Sequence, residues 1–143
     1  MEETLLEIRV VCGAPLSVRG AEREIVMIPF TGTAAGPLFT GAVTGPAADT
    51  QTIGPGGRFR LSARYLLEGR DAEGRACRVF IENEGSWEEG FRPRIVTDSP
   101  LLRDWETGSC AASVEAAPGG VTVRIFRRET PAGGIQGANN AEV

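Results

Sequence analysis

Apolar and polar residues alternate in short runs along most of the chain. In Leu5–Cys12, the residues Leu6, Ile8, Val10 and Cys12 fall on one side and Glu7 and Arg9 on the other. A period of two marks a strand with one buried face. The clearest run is Arg58–Glu68, where Phe59, Leu61, Ala63, Tyr65 and Leu67 share a side and Arg58, Arg60, Ser62, Arg64 and Glu68 oppose them. The turn residues Asp71-Ala72-Glu73-Gly74 then lead into Ala76–Asn83, with Cys77, Val79, Ile81 and Asn83 on one face, which reads as an antiparallel hairpin. Glu24–Phe30 is apolar almost throughout, and Pro29 within it predicts an edge position or a bulge. Further short strands are expected over Pro37–Thr44, Asp49–Ile53, Phe91–Thr97, Ser109–Ala116 and Val121–Arg127. Gly41 suggests a bend or a close backbone approach, as at a barrel corner. Asp98-Ser99-Pro100 supplies a capping side chain followed by proline, so one short helix is expected over Pro100–Glu106, ending at Gly108.

About nine short strands, one short helix and tight Gly/Pro turns predict an all-β fold, a single antiparallel barrel. Closure removes the exposed sheet edges such a chain would otherwise have to protect. A barrel of about eight strands is either filled by its own side chains or holds one small ligand. At 143 residues the chain is one domain in length. The barrel is expected over residues 1–129 and a flexible tail over 130–143, where Ile135 and Val143 are the only large apolar groups.

Composition narrows the chemistry. There is no histidine, and all 15 basic residues are arginine. Ser-His-Asp triads, Cys-His pairs, lysine Schiff bases and His-ligated metal sites are therefore unavailable. Acid–base work falls to Asp, Glu, Tyr or Cys. A net charge of -4 argues against nucleic-acid binding. Cys12, Cys77 and Cys110 form no CxxC pair and read as buried structural thiols in a reducing compartment. The N-terminal run has no basic segment before an apolar stretch, and no apolar run approaches the ~20 residues of a membrane span. A cytoplasmic protein with no membrane contact, no metal and no cofactor is the expectation.

The ordered set Gly36-Pro37, Gly41, Gly45, Asp49, Gln51, Ala63-Arg64-Tyr65, Asp71 to Gly74 and Ile81-Glu82-Asn83-Glu84-Gly85 resembles the DUF3237 (UPF0311) family. Thr97, Pro100, Trp105 and the closing Val121–Phe126 run fit as well. The resemblance spans about Leu5 to Arg128 and implies a calycin-like barrel for small molecules, and a homodimer. Thr50 departs from the family pattern, where a bulky residue is expected, and this could alter a pocket wall.

Arg64 and Tyr65 are neighbours in a strand, so only one faces the interior. If the apolar face is inside, Tyr65 lines the cavity and Arg64 lies outside, where it could pair with Asp49 or Glu82. If the interior is polar, Arg64 grips a ligand oxyanion in two-point fashion. Asp49 is either a turn cap or a general base. Glu82 and Asn83 also face opposite ways, and a carboxylate in an apolar barrel would have a raised pKa. The candidate catalytic residues are Asp49, Arg64 and Glu82. The candidate ligand-binding residues are Gln51, Tyr65, Asn83 and Trp105, with Trp87 and Trp105 flanking segments that could close one mouth. The leading expectation is a small-molecule barrel performing a cofactor-free isomerisation, cyclisation or hydration on an apolar or aromatic carbonyl or carboxylate compound. The alternatives are a non-catalytic carrier and a filled structural barrel. A cavity of roughly 300 Å³ or more, the lower end for ligand pockets, would favour the first two.

Overall fold

The computed structural model describes residues 3–128; the expected tail lies outside the described residues. The described residues form nine strands: β1 (Glu3–Cys12), β2 (Leu16–Arg19), β3 (Glu24–Ala35), β4 (Phe39–Ile53), β5 (Phe59–Asp71), β6 (Ala76–Ser86), β7 (Gly90–Thr97), β8 (Cys110–Ala117) and β9 (Gly120–Arg127). All pairings are antiparallel, in the order β1-β9-β8-β7-β6-β5-β4-β3-β2, and β1 also pairs with β3. That last pairing closes eight strands into a barrel and leaves β2 outside, attached to the first half of β3. The expected all-β barrel is the observed fold.

The alternation read from the sequence sets the inside. Ile8, Leu67, Val79, Ile81 and Ile125 are fully buried in one apolar core. Two readings of the chain change. Pro37–Thr44 and Asp49–Ile53 are one strand, because Gly45-Pro46-Ala47 is a bulge and not a turn between strands. Thr44 stands opposite Leu66 and Ala48 opposite Arg64, so three residues of β4 face one residue of β5. Gly45 has φ +70°, in the left-handed region that favours glycine. Pro29 stands at the matching irregularity, where β3 shifts register against β4 before pairing with β1. β2 alternates apolar and polar over only four residues, too short a run to predict it, and all four are exposed.

The two ends of the barrel differ. At one end a 3₁₀ turn (Pro100–Leu102) and one turn of helix, α1 (Asp104–Thr107), replace the expected single helix. The expected caps bond elsewhere. Asp98 Oδ1 accepts the Arg78 amide at 2.8 Å, and Ser99 Oγ donates to Asp71 Oδ2 at 2.7 Å. Leu102 and Trp105 seal this end, 0% and 2% exposed. Asp71 anchors the seal: its Oδ1 also accepts the amides of Glu73 and Arg75 at 3.0 and 3.1 Å. These bonds, that from Ser99 foremost, hold the Asp71 carboxyl below its ordinary value of 3.8. A lowered carboxylate pKa adds stability above the unfolded value, and this is lost as pH falls through the folded one. Ser99→Ala is therefore expected to lower the melting temperature at pH 7 and to move acid unfolding to higher pH. Circular dichroism against temperature and pH reads both; an unchanged acid transition would contradict the anchoring role.

Candidate functional site

The other end of the barrel opens into a cavity of about 140 Å³. Its wall is mainly apolar and includes Val10, Ile28, Phe30, Leu61 and Val123. The interior is therefore not filled, although the cavity is about half the size expected of a ligand pocket. It still matches the ~150 Å³ that takes a benzene-sized guest.

Four of the sequence-predicted residues meet here: Asp49, Gln51, Tyr65 and Asn83. Strand register explains why. Asp49 pairs with Ala63 and Ala63 with Asn83, so Asp49 and Asn83 occupy one row across β4, β5 and β6. Both point inward, with the small Ala63 between them leaving room. Gln51 lies two residues beyond Asp49 on the same face, and its Nε2 donates to Asp49 Oδ2 at 3.0 Å. Tyr65 follows Ala63 on the inward face of β5. It stands opposite the bulge, and its ring meets Phe30 edge-on at 5.3 Å and 72°.

Three polar atoms on residues lining this cavity are unsatisfied. Asp49 Oδ1, Tyr65 Oη and Asn83 Oδ1 are all buried and make no hydrogen bond. Buried polar groups are paired in the great majority of cases, because an unmade bond costs about 1–3 kcal/mol. Three in one cavity form a set of groups waiting for a partner. Burial pushes the Asp49 carboxyl above its ordinary 3.8, offset in part by the bond from Gln51. Burial also pushes the Tyr65 phenol well up, so its hydroxyl stays protonated. The lining holds one carboxylate and no arginine.

Trp87 guards the mouth. It sits on the three-residue turn between β6 and β7, which ends at Gly90 with φ +86°. It lines the cavity yet is 61% exposed, stacked on Phe59 at 6.4 Å and edge-on to Phe91 at 5.1 Å. The sequence places Trp87 on a mouth-closing segment but not among the ligand-binding candidates. Its signal was an aromatic residue on a short hairpin turn facing Phe59.

The remaining candidates lie elsewhere. Arg64 and Glu82 are on the outer wall, in register with each other and with Arg94. Glu82 accepts Arg64 Nη2 and Arg94 Nη2, each at 2.9 Å. The apolar face of β5 is inside, so the alternative that put Arg64 outside against Glu82 is the one observed. Arg64, Thr50 and Glu84 border an outer depression of about 930 Å³, wider than the barrel cavity but open to solvent. Thr50 thus leaves the interior wall untouched. Trp105 is at the sealed end, opposite to Trp87, and does not line the cavity. Cys12, expected to be buried, is exposed at the mouth, because β1 ends there; Cys77 is buried and Cys110 half-buried.

Residues 2–100 match a family of proteins of unknown function. The chain belongs to DUF3237. No curated protein matches it. Solved structures share the fold. A protein of unknown function from Clostridium acetobutylicum is 21% identical, covering 89% of this chain and 95% of its own, with a TM-score of 0.76. A structure described as an enzyme from Penicillium herquei is 16% identical, covering 90% and 94%, with a TM-score of 0.73. A β-barrel-like protein from Acinetobacter baumannii is 18% identical, covering 89% and 94%, with a TM-score of 0.71. At these identities the likeness is one of fold, and the chemistry of this DUF3237 chain rests on its own cavity. Among the described residues no helix is long and apolar enough to cross a membrane.

Proposed function

We propose that the barrel binds a small, uncharged carbonyl compound through its open mouth and moves a proton on it. The observation that carries this reading is the set of three buried, unpartnered atoms, Asp49 Oδ1, Tyr65 Oη and Asn83 Oδ1, on residues that line one apolar cavity. The Tyr65 hydroxyl is the donor for the ligand's carbonyl oxygen. Asp49 Oδ1 takes a proton from the adjacent carbon, and Gln51 holds the other carboxylate oxygen so that Oδ1 stays turned to the ligand. As the carbon loses its proton, negative charge grows on the ligand oxygen, and the hydrogen bond from Tyr65 strengthens with it. Returning the proton at a different position completes an isomerisation; an internal nucleophile would turn the same enol chemistry into a cyclisation. Asn83 orients a ligand hydroxyl or N–H.

A lining without a cation favours uncharged ligands over carboxylates. A desolvated carboxylate would meet no cation here, and Asp49, the one acidic residue in the lining, would repel it. The cavity accepts one ring-sized group, so a larger ligand would leave its remainder outside, against Trp87.

Deuterium exchange tests the proposal. Cyclohexanone, a ring-sized enolisable ketone, is incubated with the protein in heavy water and its α-proton signals are followed by NMR. Loss of signal that is faster than in buffer and proportional to protein concentration is expected. Exchange at the buffer rate at every protein concentration would leave only a non-catalytic carrier.

A further inference from the structure

We propose that Cys12 is a covalent attachment site for α,β-unsaturated ketones held in the barrel cavity. The inference rests on the reading of that cavity as a carbonyl-binding site. Cys12 continues the inward face of β1 beyond Leu6, Ile8 and Val10, and it lines the cavity. Its backbone amide donates to Gly119 O at 3.0 Å, which fixes the end of the strand at the rim. Across the barrel wall it is in register with Phe30, whose ring meets Tyr65. Cys12 is exposed, whereas Cys77 and Cys110, whose thiols burial pushes up, do not line the cavity.

Tyr65 and Asn83 supply the independent evidence for a ligand. They are 4% and 3% exposed, both line this cavity, and each carries a buried oxygen without a hydrogen-bond partner. A cavity of about 140 Å³ holds one ring. An enone anchored by its oxygen on Tyr65 has its remaining atoms between Tyr65 and the mouth, and Cys12 stands at that mouth.

The step is a conjugate addition. The Cys12 sulfur forms a bond to the β-carbon, and the carbon–carbon π pair shifts to the bond between the α-carbon and the carbonyl. The carbonyl π pair moves onto oxygen, where the Tyr65 hydroxyl stabilises the enolate. The proton lost by the thiol ends on the α-carbon, delivered by water or by Asp49. Nothing is oxidised, and no group leaves.

The test compares two reagents on the full chain, read by intact mass and peptide mapping. Cyclohexenone is the enone probe; methyl methanethiosulfonate carries no carbonyl and reports bare thiol access. Cyclohexenone is expected to add once per chain, at Cys12, faster than to a free cysteine peptide. Saturated cyclohexanone is expected to protect Cys12 from it by competition. Tyr65→Phe is expected to slow cyclohexenone labelling by about tenfold or more while leaving methanethiosulfonate labelling unchanged. Labelling at the peptide's rate, or no protection by cyclohexanone that itself binds, would overturn the proposal while the carbonyl-binding reading stands; the protection experiment uses the unmodified protein and so does not depend on the variant's folding. If cyclohexanone does not bind at all, both readings fall.

Discussion

Asp49→Asn is expected to slow proton exchange on a bound ketone by about 10²–10⁴-fold, the usual contribution of a positioned general base. The substitution is nearly isosteric and keeps an oxygen for Gln51 to donate to, so ligand binding should survive. The pH dependence gives a second signature. If the ionised carboxylate is the base, the wild-type rate rises with pH through the Asp49 pKa, which burial holds above its ordinary 3.8, and then levels off. Stability should move the opposite way. A carboxyl whose folded pKa is raised favours the folded state below the unfolded pKa, and that advantage is lost as pH rises through the folded value. Asp49→Asn should escape that loss, melting higher than wild type at pH 7 and differing less at acidic pH. Exchange assays against pH, paired with thermal melts of both proteins, measure the two effects. A variant that is both inactive and less stable at pH 7 would make Asp49 a structural residue.

Trp105→Ala is expected to destabilise the barrel by about 3–5 kcal/mol, the usual cost of emptying a large buried aromatic site. Trp105 is 2% exposed and packs in the core at the sealed end, beside the fully buried Leu102. Removing it leaves a cavity beneath a plug made of one 3₁₀ turn and one helical turn. Elements this short have little stability of their own and depend on tertiary packing. A fall in melting temperature of about 10 °C or more should follow at this chain length. Trp105→Phe should cost much less, because the indole N–H makes no hydrogen bond and the ring volume is mostly kept. Neither substitution should change ligand selectivity in whatever fraction remains folded. Altered selectivity in Trp105→Phe would instead place Trp105 in the binding site.

The fold was legible where one face of a strand is apolar and the other charged. β5 and β6 are the best cases: the expected inward residues Phe59 to Leu67 and Cys77 to Asn83 point inside. Reading became ambiguous where local chemistry mimicked something else. Gly45-Pro46 carries the composition of a turn, yet pairing on both sides of it keeps β4 continuous and turns those residues into a bulge. Ser99 and Asp98 look like helix caps, but closing the barrel brings Asp71 and Arg78 to them as better partners. The site divides in the same way. Alternation says that Asn83 and Glu82, or Tyr65 and Arg64, face apart; the register of neighbouring strands then places Asp49 in the same row as Asn83. That register depends on the bulge and the turns, and no single stretch of the sequence carries it. Cys12 obeys the alternation, but its exposure depends on where β1 ends relative to the rim. The two tryptophans show the same limit, since their positions in the chain do not reveal that they sit at opposite ends of the barrel.

The most direct test of the central claim is an amide NMR titration of the unmodified protein with cyclohexanone at pH 7, and in parallel with cyclohexanecarboxylate. The cavity described here predicts saturable shifts for cyclohexanone centred on Asp49, Tyr65, Asn83 and Trp87, and much weaker ones for the carboxylate. Shifts confined to the outer wall around Arg64 and Glu84, equal binding of the two compounds, or no shift with either would contradict it.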